Sequence, residues 1–327
     1  MVALPRSWRA AGIAAMPAFA LIAYSHDAVL CRLAPAEPAL VAAGRFAVAA
    51  VLLWPLVVLR ERPCLRRLGS RELLLTLLAG ILLAADFTAW IAATQRTSVA
   101  NSLLLTHLAP LWILLLTLLW LRRRPGPIEC VVAALSIVGA GIVGEGGLAE
   151  RAGAHWHGDL LAVASSLPAA GFIILSAMAL TRVPLLVYLA LSWSWAGVLL
   201  AAAAWLSGAG WPVDRDVLGA IAAMGIVAQL LGHGLLTLSL RWLTPCFVAA
   251  SCLLEPVLGS LWASLYLGEA VAGATLAGGA LVLLAIWIGA RGEADRLRPA
   301  DSPAFRPNQA KASRANSARA TNHAEAT

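Results

Sequence analysis

The sequence predicts an all-α integral membrane protein with ten transmembrane helices. Of its 327 residues, 61% are hydrophobic and only 13% are charged, whereas roughly a quarter of the residues in a soluble domain are charged. Ten apolar stretches approach the length of about 20 residues that a helix needs to cross a bilayer. Segments in lipid must satisfy their own backbone amides, so these stretches are predicted to be helices. Their predicted bounds are 10–31, 39–59, 73–94, 98–121, 128–147, 159–180, 184–206, 217–240, 245–267 and 273–290.

Two passages of the chain resemble each other. Residues 97–134 align with residues 243–280 when Pro110 is set on Pro256, and each passage contains two apolar helices with a short polar break between them. Leucine matches are common by chance in an apolar chain, so the aligned prolines carry most of the weight. A duplicated set of spanning helices is typical of secondary transporters. The other matches are Leu108, Leu115, Leu119, Leu121 and Ala134 with Leu254, Leu261, Leu265, Leu267 and Ala280.

Basic residues are concentrated in alternate connecting segments. With ten spans and the N-terminus inside, the outer segments hold only Arg32, Arg96, Arg151 and Arg215, and the remaining basic residues outside the spans lie in inner segments or the C-terminal tail. This asymmetry is the positive-inside pattern, which predicts that both termini are cytoplasmic. The net charge of +7 therefore reflects membrane topology. We expect the protein to contact membrane lipid and not to bind nucleic acid.

The spans divide the chain into two halves with short flanking segments. The first 30 residues also resemble a cleaved signal peptide, but the apolar run continues past the loose cleavage pattern, which favours an uncleaved first helix. The C-terminal segment has few large apolar residues and is predicted to be disordered; the alternative is an arm that binds a partner or anionic lipid. The predicted units are an N-terminal segment 1–9, a first half 10–147, an outer loop 148–158, a second half 159–290 and a cytoplasmic tail 291–327.

Several polar side chains within the spans are candidates for the chemistry. A charged side chain in a bilayer costs at least about 2.5–3.5 kcal/mol, so such residues usually face a cavity or a partner. At 1.5 Å of rise per residue, five of them lie at roughly 18–22 Å from the cytoplasmic end of their helices. His233 lies at roughly 12 Å and Asp27 at roughly 27 Å. The five are Arg45, Asp86, His107, Gln229 and Glu255.

Each candidate has a structural alternative. Arg45 either binds substrate or forms a neutralising pair with Asp27 on the neighbouring helix. His107, three residues before Pro110, either lines the site or bonds a carbonyl that the proline frees. Glu255 is either a neutral acid bonded to the broken helix or a proton carrier. Asp86 is a site candidate, and Gln229 and His233, which lie one helical turn apart, share a face and are expected to line the site.

No motif predicts catalysis or a bound cofactor. The five cysteines have no metal-ligand spacing, and His155 and His157 in the outer loop lack a third ligand. Gly139, Gly141 and Gly144 match a dinucleotide-binding fingerprint, but no strand precedes them; glycines within an apolar helix more plausibly let a neighbouring helix approach closely. The sequence contains no catalytic triad order, no zinc-protease motif and no P-loop, so we expect neither an enzyme, a cofactor nor a metal site.

The residues resemble the EamA domain of the drug/metabolite transporter superfamily. The resemblance is carried by the mid-helix Pro110 and Pro256, with Glu255 directly before Pro256, by Gly268-Glu269 at the end of the ninth span, and by three further features. It covers about residues 10–290 and is strongest at 238–288. The chain departs from the family pattern after the fourth span, where LRRR replaces the frequent Gly-Glu-Arg. The further features are the early Arg45-Phe46 in the second span, the glycine-rich tenth span and the order of these motifs.

The resemblance implies a bacterial inner-membrane (plasma-membrane) transporter with two inverted five-helix repeats and both termini in the cytoplasm. We expect a central cavity between the repeats, bordered by Asp86, Gln229, His233 and Glu255, with Arg45 and His107 at its rim. The predicted function is export of a small metabolite or drug-like molecule by alternating access. An uptake permease of the same fold is the first alternative, and a non-transporting scaffold or sensor is the second. Protons are a candidate coupling ion, and the substrate and oligomeric state are left open.

Overall fold

A computed structural model describes residues 6–97, 99–119, 122, 124–148, 156–208, 210, 214–268 and 273–297. Within these ranges the chain is helical apart from short connections, and it contains no strand. Most of the predicted outer loop 148–158 and most of the predicted tail lie outside the described residues. The last helix continues past its predicted end at residue 290, to Arg296.

The first half contains eight helices, of which two pairs form interrupted spans. Pro38 begins the third helix because proline suits the first turn of a helix, and the Glu37 side chain accepts a hydrogen bond from the Leu40 amide at 3.0 Å. The helices are α1 (Arg6–Tyr24), α2 (Asp27–Arg32), α3 (Pro38–Arg60), α4 (Arg62–Leu65), α5 (Ser70–Arg96), α6 (Val99–Thr106), α7 (Ala109–Leu119) and α8 (Pro127–Leu148).

The second half follows the same order, except that its first span is one helix, Trp156–Ala179, and that no short helix follows its second span among the described residues. Its third span is a continuous helix that widens in the middle into a π-helical segment, Met224–His233. Pro245 begins α13, and the Thr244 side chain accepts from the Phe247 amide. The helices are α9 (Trp156–Ala179), α10 (Leu185–Leu206), α11 (Arg215–Ala223), the π segment, α12 (Gly234–Ser239), α13 (Pro245–Cys252), α14 (Glu255–Leu267) and α15 (Gly273–Arg296).

Eight helical stretches of the described residues are long and apolar enough to cross a membrane. The predicted spans 98–121 and 128–147 are not among them. The first is divided between α6 and α7, and the apolar stretches that remain, Ala109–Leu119 and Pro127–Gly139, are shorter. Length and composition therefore support a multi-pass membrane protein. The eight stretches are Ala10–Arg32, Pro38–Arg60, Ser70–Thr94, Trp156–Ala179, Leu185–Leu206, Arg215–Ser239, Pro245–Tyr266 and Leu276–Arg296.

The interruptions between α6 and α7 and between α13 and α14 lie at matching positions of the sequence repeat. Alignment of Pro110 with Pro256 is an offset of 146 residues, and adding 146 to the bounds of α6 gives the bounds of α13. The same offset carries Ala109, the first residue of α7, onto Glu255, the first residue of α14. Each proline is the second residue after the interruption, and it cannot donate the backbone bond that would continue the preceding helix. The structural repeat thus follows the register that the sequence predicts.

The contacts between helices are preserved when each helix is replaced by its counterpart in the other half, as expected of a duplicated fold. Two contacts join a helix to its own counterpart: α3 packs on α10, and α8 packs on α15. The contact of α7 with α13 is exchanged into the contact of α6 with α14. The contact of α5 with α9 is exchanged into the contact of α1 with the π segment and α12. Large apolar side chains remain exposed on the outside, with Leu59, Trp205 and Leu206 each 81% exposed. Such a surface suits lipid, since exposed apolar patches of this kind are rare on soluble proteins.

Gly139 allows α8 and α15 to approach closely. A Cβ atom at this position would lie 2.7 Å from the backbone oxygen of Gly278 and 2.9 Å from a Val282 methyl group. At Gly141, on the same helix, a Cβ atom would meet no described atom within 4 Å. The predicted role of the glycines in close helix packing therefore applies to Gly139 and not to Gly141.

The two glycines form a matched pair for a stability measurement. Gly139→Ala is expected to lower the free energy of unfolding by about 1–3 kcal/mol, the usual cost of overpacking. Gly141→Ala is expected to be neutral or stabilising by up to about 1 kcal/mol, because alanine favours a helix over glycine. Unfolding of the purified protein in detergent, followed by tryptophan fluorescence, measures both. Equal stability of the two variants would contradict the close approach at Gly139.

Candidate functional site

A cavity of about 80 Å³ lies between the two halves of the molecule. This volume accommodates several water molecules, at roughly 10–15 Å³ for each. The first half contributes α1, α5 and the interruption between α6 and α7, and the second half contributes α9, the π segment, α12, α13 and the start of α14. Four ionisable side chains and several aromatic rings line it. They are Asp86, His107, His233 and Glu255, with Tyr24, Phe87, Trp90 and Phe172.

His107 and Glu255 connect the two interrupted helices. His107 is the first residue after α6, and Glu255 is the first residue of α14. The His107 Nε2 atom lies 3.1 Å from Glu255 Oε2, and both residues are buried. On its other side, His107 Nδ1 lies 2.6 Å from the carbonyl oxygen of Leu103. The interruptions thus bring together one ionisable side chain from each half of the molecule.

These contacts fix the number of protons that the pair carries. A carbonyl oxygen only accepts hydrogen bonds, so His107 Nδ1 must carry a proton. The contact between Nε2 and Oε2 then requires one further proton, held either by the imidazole or by the carboxyl group. Both arrangements have no net charge. One proton can therefore be placed on either group of the pair without leaving an uncompensated charge in the interior of the protein.

The alternative for His107 was a hydrogen bond to a carbonyl that Pro110 frees; His107 bonds a carbonyl, but not one that the proline frees. The carbonyl is that of Leu103, which also accepts the backbone amide of His107 at 3.1 Å. It is not that of Thr106, whose helical donor Pro110 lacks. His107 was expected at the rim of the cavity, yet its side chain lines the cavity directly. The difference arises because the interruption of the helix turns residue 107 toward the second half.

Asp86 lies on α5 and lines the same cavity. Among the described residues, no hydrogen bond or ion pair engages its carboxyl group. Phe87 and Trp90, which follow it on the helix, also line the cavity, and their rings contact each other at 6.0 Å between centroids. A carboxyl group beside aromatic rings offers a polar anchor within an apolar surface, the usual composition of a small-molecule site.

Arg45 does not line the cavity. Its Nη1 lies 2.5 Å from Asp27 Oδ2, its Nη2 donates to Gln229 Oε1 at 2.9 Å, and its side chain is fully buried. The guanidinium group also lies 4.4 Å from the centroid of the Phe87 ring. The pairing of Arg45 with Asp27 is therefore confirmed. The expected places of Arg45 at the rim and of Gln229 in the lining are wrong, because Gln229 lies between Arg45 and His233.

The π segment was not predicted from the sequence. It carries both Gln229 and His233, and glycines hold it against the first half: a Cβ atom at Gly225 would lie 2.9 Å from the Arg45 carbonyl oxygen, and one at Gly232 would lie 2.7 Å from the Tyr24 backbone. Single π turns are frequently found at functional sites. The run of residues 224–233 is apolar on nearly all sides, so its hydrophobic pattern does not distinguish a π-helix from an α-helix.

Two ring residues of the lining also went unpredicted. Tyr24 and Phe172 line the cavity, and the Phe172 ring stacks on His233 at 5.2 Å between centroids. In the sequence they are single aromatic residues within long apolar runs, so nothing marks them as cavity residues. No group of three or more potential metal ligands occurs in the described ranges. His155 lies outside those ranges, and His157 stacks on Trp156.

The Asp27–Arg45 pair supports a double-mutant test. Removing one partner of a buried pair costs about 3–5 kcal/mol, because the remaining charge stays in a low-dielectric environment. Asp27→Asn alone and Arg45→Gln alone are therefore expected to destabilise the protein more than the double variant does. Thermal unfolding in detergent measures all three. If the double variant is as unstable as the worse single variant, neutralisation is not the role of this pair.

Comparisons with known proteins agree with this architecture. The model of a family described as the EamA-like transporter family matches residues 11–144 and 156–290, one match in each half. A crystal structure that is described only as that of a protein has a TM-score of 0.70 and 21% sequence identity, covering 88% of this chain and 99% of that chain; this likeness concerns the fold alone. No curated protein matches the sequence. Since the family model matches both halves over most of their length, the chain belongs to the EamA-like transporter family.

Proposed function

We propose that this protein is a secondary transporter of the bacterial plasma membrane that exports a small organic molecule by alternating access. The observation that carries the proposal is the cavity between the two halves, bordered by matched helix interruptions and by His107 and Glu255 from opposite halves. Transporters built from repeats bind substrate near the bilayer midplane, at the repeat interface and between interrupted helices. A scaffold or sensor has no need for ionisable groups around such a cavity.

The proposed topology has ten spans in two inverted repeats of five. The interrupted α6–α7 segment and α8 act as the fourth and fifth spans, and α13–α14 and α15 act as the ninth and tenth. An odd number of spans in each half places the second half in the opposite orientation. The distribution of arginine supports a cytoplasmic location for both termini. The exchange of contacts between the halves supports rocking of one repeat against the other around the cavity.

Proton sharing by His107 and Glu255 would allow the halves to separate at low cost. If the proton lies on Glu255, both groups are neutral, and separating them leaves no unpaired charge in the membrane interior. If it lies on His107, separation would leave two charges without partners. Opening of the cavity is thus coupled to the position of one proton. This makes the pair, together with Asp86, the proposed proton-coupling groups.

The lining favours a substrate that has a basic nitrogen next to an apolar body. The carboxyl group of Asp86 has no hydrogen bond or ion pair among the described residues, and aromatic rings line the same cavity. A cation near the face of an aromatic ring gains about 0.5–2 kcal/mol. The present cavity of about 80 Å³ is small compared with the roughly 300 Å³ or more of drug-sized sites. A larger substrate would therefore require the halves to move apart.

A growth screen tests the direction and the substrate class together. Strains that overexpress or lack the protein are grown with small amines and with neutral analogues of the same shape. Export predicts that overexpression protects the cells from some amines, that deletion sensitises them, and that the neutral analogues show neither effect. The reverse pattern indicates uptake. An absence of any difference in growth, together with no transport of these compounds in proteoliposomes, would favour the scaffold alternative.

Amide substitutions test the coupling groups. In proteoliposomes, Glu255→Gln and Asp86→Asn are expected to abolish uphill transport driven by a pH gradient, because an amide cannot release a proton. Substrate exchange is expected to continue in Glu255→Gln, which keeps the Asp86 carboxyl group. Asp159→Asn is the control, since Asp159 is not among the residues that line the cavity and it accepts a hydrogen bond from Thr97 at 2.7 Å. If both cavity variants keep the pH dependence of the unmodified protein, neither carboxyl group carries the coupling proton.

A further inference from the structure

A chain of hydrogen bonds extends from Asp27, through the buried interior, to the wall of the cavity. Asp27 accepts from Arg45 Nη1 at 2.5 Å, Arg45 Nη2 donates to Gln229 Oε1 at 2.9 Å, and Gln229 Nε2 lies 3.1 Å from His233 Nδ1. His233 is the only one of these four residues that lines the cavity. The chain links α2, α3 and the π segment.

The chemistry of the donors sets the direction of every bond in this chain. A guanidinium group has only donors, so the oxygen of the Gln229 amide must face Arg45. The amide nitrogen of Gln229 then faces His233, and it also has only donors. His233 Nδ1 must therefore accept this bond and carry no proton. In the neutral imidazole, the proton is consequently on Nε2.

We infer that Asp27, Arg45 and Gln229 are positioning residues that hold His233 in the tautomer with its proton on Nε2, so that His233 presents a hydrogen-bond donor to the cavity. No described residue hydrogen-bonds Nε2, and it is not among the fully buried atoms that lack a partner. Since the residue as a whole lines the cavity, Nε2 is the atom available to a bound molecule. The donor that His233 presents to the cavity thus depends on a charge that does not border the cavity.

The surroundings hold this chain in place. Asp27 and the Phe87 ring fix the Arg45 guanidinium group, and the close approach at Gly225 keeps the π segment against α3. The His233 ring packs against Phe172 and Trp193, at 5.2 and 6.1 Å between centroids. This packing disfavours turning the ring over to offer its other nitrogen. The tautomer is therefore set by the fold before any ligand binds.

The two histidines of the cavity acquire opposite arrangements from their neighbours. His107 donates through Nδ1 to a carbonyl group and turns Nε2 toward Glu255, whereas His233 accepts at Nδ1 and has its proton on Nε2. His107 thus takes part in proton sharing, and His233 is a fixed donor. The tautomer follows from the hydrogen bonds alone, and its use in substrate recognition rests on the proposed function. A substrate would need an acceptor atom for His233 and a donor for Asp86.

Nitrogen-15 NMR measures the tautomer without any knowledge of the substrate. The protein is labelled only at histidine and studied in lipid bilayers, where protonated and unprotonated ring nitrogens give separate resonances. His233 is expected to show a protonated Nε2 and an unprotonated Nδ1. A protonated Nδ1 in the unmodified protein would overturn the inference. Replacing the four other histidines by glutamine leaves only His107 and His233 to be assigned; the four are His26, His155, His157 and His323.

Gln229→Glu tests the chain with almost no change of size. The introduced carboxylate still accepts from Arg45, but it cannot donate to His233 Nδ1. The proton signal of His233 is therefore expected to move from Nε2 to Nδ1. Asp86→Asn is the control, since it changes the cavity without touching the chain, and His233 should keep its proton on Nε2. An unchanged His233 spectrum in Gln229→Glu would contradict the positioning role.

The two proposals fail separately. If the NMR spectra are as expected but no compound is transported, the proposed function is overturned and the tautomer assignment stands. Transport by a protein whose His233 carries its proton on Nδ1 would overturn the positioning role alone. The unmodified spectrum decides the assignment even if Gln229→Glu does not fold.

Discussion

The contact between His107 and Glu255 joins the two halves at the interruptions between α6 and α7 and between α13 and α14. Both side chains are buried, and each would be costly in the membrane interior without the other. The interruptions exist because Pro110 and Pro256 prevent continuous backbone bonding, and they lie at equivalent positions of the repeat. The cavity, its ionisable lining and the proposed movement of the halves all depend on this contact. It is neutral as a unit, and its single shared proton can be placed on either side chain.

The two buried pairs of this protein have different surroundings and therefore different capacities. The Asp27–Arg45 pair is fully buried and is bound to a third residue, Gln229. Arginine keeps its charge under all ordinary conditions, so this pair cannot separate as two neutral groups. The His107–Glu255 pair borders the cavity and can become two neutral groups by transfer of one proton. The first pair accordingly acts as a fixed element of the fold, and the second is suited to change during a transport cycle.

Much of the fold could be predicted from the sequence because bilayer length and backbone pairing restrict the possible structures. The apolar runs coincide with helices, and the alignment of two prolines located both interruptions. Helical rise predicted a similar depth for Asp86, His107 and Glu255, and all three line one cavity. The rise per residue, however, predicts only how far along the helix a side chain lies, and not its direction around the helix axis. For this reason the directions of Arg45 and Gln229, which point away from the cavity, were not predicted.

The π segment and the rings of Tyr24 and Phe172 could not be predicted for a related reason. A helix surrounded by lipid and other helices is apolar on most sides, so its sequence has little contrast between faces. The widening at residues 224–233 changes which side chains face the cavity without changing composition. Only the packed structure shows that His233 reaches the cavity, whereas Gln229 lies behind it and forms hydrogen bonds to Arg45 and His233.

Accessibility of the cavity from each side of the membrane tests the central claim most directly. Cys252 lines the cavity at the end of α13, and the four other cysteines can be replaced by serine to leave it as the single thiol. A membrane-impermeant methanethiosulfonate reagent is then applied to right-side-out and to inside-out vesicles, with a cysteine-free protein as the control. The account predicts that Cys252 is modified from both sides, because the two halves expose the cavity alternately. Modification from one side only, or from neither, would contradict alternating access around this cavity.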